Sequence, residues 1–272
     1  MKKIREKKRR KGIIILSIAL LLLSFYVLQR FWAHRHGNFI PDYARVLITE
    51  DSDYDTIFLQ TGLGKEAVDK LEGEKDFKTV LEVQEAFFSE DEVECVSIFG
   101  YFTMSDRVKR KDTAPLVDLQ PGDIILSLST HSVGWNHGHV GLVLDEESVL
   151  ECTTLGRNSS IVKAKHWRTY SNYVVLRVKG ATEKLCQEVA AYAKENLCHV
   201  PYHLSAGFIG AKAPASEEPY FGLQCAYLAW YAWQCFGYDL DSDGGRLVTA
   251  YDILHSKLIE VVQIYGMDPR KF

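Results

Sequence analysis

The sequence predicts an α+β fold in which an antiparallel sheet packs on helices, behind an N-terminal transmembrane helix and a small helical accessory region. Three observations carry the prediction. Between Leu119 and Val178, short apolar runs alternate with turn residues at the spacing of strands. Between Gln224 and Gln234 every residue is apolar, aromatic or Cys, the composition of a helix buried on all sides. Gly12 to Leu28 carries no charge and is rich in Ile and Leu. The resulting division is 1–33 for a basic tail and membrane anchor, 34–116 for the accessory region and 117–272 for the main domain. With 272 residues, 47% hydrophobic and 25% charged, the chain has the composition of a folded protein rather than a disordered one.

The N-terminus reads as a signal anchor. Residues 1–11 hold eight basic side chains against one acid, Glu6. The uncharged stretch follows, with Tyr26, Phe31 and Trp32 at its far end, where an aromatic belt belongs. No small-x-small cleavage site succeeds it, only Gln29-Arg30-Phe31-Trp32. The expected topology is a single-pass cell-membrane protein with its basic end inside and its C-terminal domain extracytoplasmic. Taking the tail's +7 from the net charge of −4 leaves −11 on the remaining body. An acidic body argues against nucleic acid as a partner.

Residues 34–50 read as a linker, followed by helices at Lys65–Leu71 and around Phe77–Phe88. Thr61-Gly62-Leu63-Gly64 lacks the strand, the Lys and the glycine pattern of a phosphate loop. In the main domain, Gln120-Pro121-Gly122-Asp123 is a turn leading into the strand Ile124-Ile125-Leu126. His137 to Leu144, Ser148 to Cys152 and Tyr173 to Val178 are further strands, and Thr182 caps a helix to about Leu197. A loop containing Pro214, Pro219 and Gly222 then precedes the apolar helix, which Gly237 ends.

The chemistry centres on Cys225 in the first turn of that helix. The positive end of a helix dipole favours a thiolate, whereas a cysteine without partners is most often a small buried hydrophobe. Thiol hydrolysis also needs an imidazole and a group to orient it. His139 and Glu151 lie on consecutive strands joined by Asp145-Glu146-Glu147, so they can face the same side and pair. The Cys225 backbone N–H, unpaired at a helix start, is an oxyanion donor. His137, on the same strand face as His139, lines the cleft or forms a metal pair, but no third ligand stands at usable spacing. Tyr202 and Gln224 are assigned to the cleft or the oxyanion. The six cysteines show no C-x-x-C spacing and no evident disulfide framework. Asp239, Asp241 and Asp243 begin like a calcium loop, but Ala250 stands where its closing acid belongs. No cofactor is expected.

Pro121-Gly122-Asp123-Ile124-Ile125, His139-Val140-Gly141 and Val149-Leu150-Glu151 together resemble the strand block of the NlpC-type cell-wall endopeptidase superfamily. In ordinary members of that superfamily the nucleophile precedes this block, whereas here the suitable Cys follows it. That order is similar to the circularly permuted, papain-like branch, which includes YiiX-like hydrolases and the lecithin:retinol acyltransferase group. A Pro-Tyr pair before the nucleophile helix, here Pro201-Tyr202, fits the same branch. The resemblance spans about residues 117–260; one departure is Ala226, where permuted members often carry Ser. It implies a circularly permuted papain-like fold and a cysteine peptidase or amidase with Cys225 as nucleophile, His139 as base and Glu151 as orienter. Amide or peptide bonds are the implied substrate, and the location points to peptidoglycan stem peptides. Two alternatives stand beside it: an acyl thioesterase or acyltransferase acting on lipid, and a non-catalytic binding or scaffold module on the same fold.

Overall fold

The computed structural model describes residues 2–33, 39–99, 102–109, 114–132, 135–204, 206 and 222–272. The predicted loop prolines, Pro214 and Pro219, lie outside these. Helix α1 (Lys2–Ala33) contains a 19-residue span, Arg10–Leu28, of mean hydropathy 2.4 with none of it buried against the rest of the protein. It is long and apolar enough to cross a membrane. Three short helices follow, α2 (Tyr54–Thr61), α3 (Lys65–Gly73) and α4 (Phe77–Phe87). Asp53 caps α2 and Asp76 caps α4, each accepting a hydrogen bond from the backbone N–H three residues on.

Among the described residues ten strands then make two antiparallel sheets. The smaller holds β1 (Val93–Phe99), β2 (Thr103–Val108), β4 (Thr130–Ser132) and β5 (Trp135–Asn136), in that order across the sheet. The larger sheet is built from β3 (Ile124–Ser127), β6 (His139–Asp145), β7 (Ser148–Glu151), β8 (Ser160–Lys163), β9 (Tyr173–Val178) and β10 (Ile259–Tyr265). Its spatial order is β10-β9-β3-β6-β7-β8. Both faces of its central strands are buried, which explains why Ile124–Leu126 and Tyr173–Val178 read as continuous apolar runs rather than alternating ones. One face (Leu126, Val140, Leu142, Leu150, Val174, Leu176) packs on α5 (Glu183–Asn196), α6 (Cys225–Gln234) and α7 (Ala250–Leu254). The other (Ile125, Val143, Val149, Val175) packs on α2–α4 and on the 3₁₀ turn Ala164–Thr169. Helix α6 is buried along its length from Ala226 to Trp233, as an apolar-all-round sequence requires.

Two parts of the sequence motif serve packing. Gly122 has φ +85°, and a Cβ there would stand 3.1 Å from the Trp233 ring and 3.2 Å from the Cys186 Cα, where α5 and α6 meet the turn. Asp123 receives two hydrogen bonds from Arg177, Nε at 2.9 Å and Nη2 at 2.8 Å, joining β3 to β9. The same guanidinium reaches Asp118 at 2.8 Å and Glu66 at 2.7 Å, tying α3 to the sheet. Gly62 and Gly64 are likewise close-approach positions: a Cβ would fall 2.3 Å from the Ile264 carbonyl oxygen and 1.9 Å from that of Val261.

The structure departs from expectation in one place: the region 34–116 is not purely helical, because β1 and β2 form a hairpin in it. Its helices share a core with the large sheet. In α4, Val80, Val83, Gln84 and Phe87 form the buried face and Leu81 is 38% exposed.

Candidate active site

The site forms where β6 begins and β7 ends. Gly141 pairs directly with Glu151, and His139 lies two residues before Gly141, hence on the same face. His139 Nε2 and Glu151 Oε2 are 3.0 Å apart, with each side chain about 5% exposed. The face-sharing expected from sequence is therefore realised as a diagonal pair. Gly141 makes space beside it: a Cβ there would lie 2.8 Å from the Trp167 ring and 2.5 Å from Val149 Cγ1. Trp167 uses that space to stack on His139, with rings parallel to within 2° and centroids 5.0 Å apart. Tyr170 lies over the imidazole as well, at 6.0 Å. The Arg107 guanidinium covers Tyr170 at 3.3 Å from the ring centroid.

Cys225 comes from the helix layer and is half-buried at position N1 of α6. An N1 amide has no acceptor within its own helix. The Cys225 thiol donates to Gln224 Oε1 at 3.6 Å and lines the same cavity as the imidazole. Burial alone lowers the His139 pKa, but Tyr170, the Cys225 thiol and Glu151 outweigh it and hold the imidazole well above its ordinary value. Burial raises the Glu151 pKa, and the hydrogen bond and charge of His139 override that to hold it below the usual carboxylate range. Both shifts favour the imidazolium–carboxylate form of the pair. With Nε2 held by Glu151, Nδ1 is the ring nitrogen available to a second partner.

Two cavities meet at Cys225. A polar one of about 650 Å³ is lined by Cys225, His139 and Glu151 together with Arg107, Arg157 and His166. An apolar one of about 410 Å³ is lined by Phe99, Phe102, Trp135, Leu155, Leu204 and Leu247, and also reaches Cys225. Tyr202 and His137 border both. Burial raises the Tyr202 pKa, which keeps its hydroxyl protonated and able to donate.

Several expected residues have other duties. His137 precedes β6 rather than lying on it, because Gly138 turns the chain at φ +71°; its Nε2 lies 2.9 Å from the Ser132 hydroxyl. Gln224 lines the apolar cavity and is also the N-cap of α6. Its Oε1 accepts from the Ala226 N–H at 2.9 Å and its Nε2 donates to the Val248 carbonyl at 2.6 Å. Asp239 accepts from the Trp230 indole N–H at 2.7 Å, while Asp241 and Asp243 cluster with Asp252 rather than with Asp239. Successive backbone N–H groups occupy these aspartates as turns, Asp243 N–H to Asp241 at 3.2 Å and Gly245 N–H to Asp243 at 2.6 Å. All six cysteines are thiols. Sequence reasoning missed Trp167, Tyr170 and Arg107. Their only signal was that Trp167 and Tyr170 occur in a segment without periodicity, and nothing local tied it to His139.

No family model matches the chain, and no curated protein matches it either. A solved structure described as metalloprotein yiiX from Escherichia coli O157:H7 is similar to it, at 18% identity over 53% of this chain and 96% of that one. Its TM-score of 0.37 marks a distant, YiiX-like likeness.

Proposed function

We propose that the protein is a membrane-anchored, extracytoplasmic cysteine hydrolase of amide or peptide bonds, with a permuted papain-like arrangement of its catalytic groups. The observation that carries the reading is the convergence of Cys225, His139 and Glu151 on one cavity, with the imidazole bonded to the carboxylate at 3.0 Å. In the proposed reaction Cys225 Sγ attacks the carbonyl carbon and its proton resides on His139. The Cys225 N–H and the Tyr202 hydroxyl stabilise the oxyanion. His139 gives its proton to the leaving amine as the C–N bond breaks, leaving a thioester on Cys225. Water, deprotonated by His139, then hydrolyses the thioester and restores the thiol. Glu151 holds the imidazole in orientation and stabilises its charged form, while Trp167 fixes the ring plane. The basic lining of the polar cavity suits a carboxylate-bearing part of the substrate, such as a stem peptide. Digestion of purified peptidoglycan by the wild type but not by Cys225→Ala supports the reading; equal product from both overturns it.

A second reading, an acyl thioesterase or acyltransferase acting on lipid, is favoured by the apolar cavity beside Cys225 and by α1. It is tested with acyl thioesters of increasing chain length. A rise in kcat/KM with each added methylene, of about 0.8 kcal/mol or roughly fourfold where the chain is fully buried, supports a lipid acyl group. A flat series supports the peptide reading. Failure of both substrate classes to turn over leaves the fold as a binding module.

A further inference from the structure

A second constellation of metal-ligating side chains lies on the small sheet, apart from Cys225. Cys95 and Asp106 are direct partners in the β1–β2 register, and His131 pairs with Met104, two residues from Asp106. Direct partners and residues two apart share a face, so Cys95, Asp106 and His131 point to the same side of the sheet. One ligand atom from each lies within 4.8 Å of the other two. Asp106 and His131 are 0% and 1% exposed.

The separations fit coordination better than hydrogen bonding. His131 Nε2 is 3.5 Å from Asp106 Oδ1 and 3.8 Å from Cys95 Sγ. An N–H···O bond spans about 2.7–3.2 Å, and a single Nε2–H cannot be directed at both neighbours. Around a tetrahedral zinc ion, bond lengths of about 2.05 Å to N, 2.1 Å to O and 2.3 Å to S give N···O and N···S separations of about 3.4 and 3.6 Å.

Asp106 supplies the independent observation. Among the described residues neither of its carboxylate oxygens has a hydrogen-bond partner, although both are fully buried, and the His131 imidazole 3.5 Å away pairs with it only when protonated. A buried carboxylate without hydrogen bonds is costly unless it is paired or bound to a metal. Asn136 stands opposite His131 in the β4–β5 register, and among the described residues its Oδ1 is likewise buried without a hydrogen-bond partner. A further oxygen donor is therefore available on the same face.

We propose that Cys95, Asp106 and His131 bind a zinc ion. One thiolate, one carboxylate and one neutral imidazole bring two negative charges to a doubly charged ion, so the buried site is neutral. Binding releases the Cys95 thiol proton. The mixed S, N, O set suits a borderline-soft tetrahedral cation and disfavours calcium or magnesium, which take oxygen ligands. The ion staples β1, β2 and β4, whose ends carry the Phe99, Phe102, Thr103 and Ser132 walls of the apolar cavity. It thereby stiffens one side of the cleft without touching the reacting atoms.

The test uses the full chain in detergent micelles, stripped with a chelator and reloaded with zinc alone. Cys225→Ala removes the competing thiol–imidazole–carboxylate cluster. About one zinc per chain is expected in both wild type and Cys225→Ala, with a rise in Tm on loading. Asp106→Asn should lower zinc affinity at least about 100-fold, beyond what loss of an outer-shell partner costs, and abolish the Tm rise. Cobalt substitution should give a thiolate-to-cobalt charge-transfer band that Cys95→Ser removes, and Asp106→Asn supports the conclusion if Cys95→Ser does not fold. Zinc lost from Cys225→Ala, zinc retained at full affinity by Asp106→Asn, or no zinc bound by the wild type would each overturn the proposal.

Discussion

Glu151→Gln isolates the electrostatic half of the proposed site. Glutamine keeps the shape and a hydrogen-bonding oxygen but removes the charge that faces His139 Nε2 at 3.0 Å. Both groups are almost fully buried, so solvent does little to screen the loss. A hydrogen bond to a charged group contributes about 1.5–3 kcal/mol, and one pKa unit corresponds to about 1.4 kcal/mol. The imidazolium of His139 should therefore lose its proton about one to two pH units lower in the variant. Because the wild-type His139 pKa is raised, its stabilisation is complete below about pH 6.5, the unfolded value, and fades as pH rises through the folded value. The Glu151 pKa is depressed, so its contribution is present above the unfolded carboxylate value and fades as pH falls through the folded one. The assays are NMR titration of the His139 ring and the alkaline limb of kcat/KM, which reports loss of the imidazolium that protonates the leaving group. Both should move down together. An alkaline limb that stays within about 0.3 units of the wild type would refute the pairing argument, since the charge-assisted bond would then be worth under about 0.5 kcal/mol.

Three further outcomes follow from the packing. Gly141→Ala places a methyl within 2.8 Å of Trp167 and 2.5 Å of Val149 Cγ1, so it should destabilise by about 1–3 kcal/mol in urea unfolding and lower kcat by tilting His139. Arg177→Met removes the guanidinium from Asp118 and Asp123, leaving them Lys70 at 3.2 Å and the Gln120 N–H at 2.9 Å respectively, and a loss of about 3–5 kcal/mol is expected, with the thiol reactivity of the folded protein unchanged. Gln224→Ala removes the α6 cap and the tether to Val248; about 1–2 kcal/mol of stability should be lost in thermal unfolding, and a variant as stable as wild type would contradict the capping role.

The parts of this site that lie close in sequence were the ones legible in it. Composition alone made α6 a buried helix, and helix termini are where Cys225 acquires its setting. His139 and Glu151 could be placed on one face because a short turn joins their strands and the side-chain period is two. Long-range partners were hidden. Trp167 and Tyr170 reach His139 from a 3₁₀ turn whose sequence has no period, and Arg177 meets Asp123 only once β9 lies beside β3. The β1–β2 hairpin escaped because its burial does not alternate cleanly and β2 is completed by β4, more than twenty residues downstream. His137 was misread because Gly138 interrupts an otherwise strand-like run, a turn that depends on a close fit against the Ser127 carbonyl, 2.8 Å from where a Cβ would sit. Gln224 gave no capping signal, since glutamine is not among the preferred N-cap residues.

The central claim is that His139 activates Cys225. Its most direct test is the rate of iodoacetamide alkylation at each of the six cysteines of the full-length chain near pH 6, read by peptide mass spectrometry. Cys225 should react at least about tenfold faster than any other cysteine, because thiolate character and access govern the rate. His139→Ala should remove that advantage, leaving the other five rates unchanged. Equal alkylation of Cys225 in wild type and His139→Ala, or a faster reaction at Cys198, would contradict it.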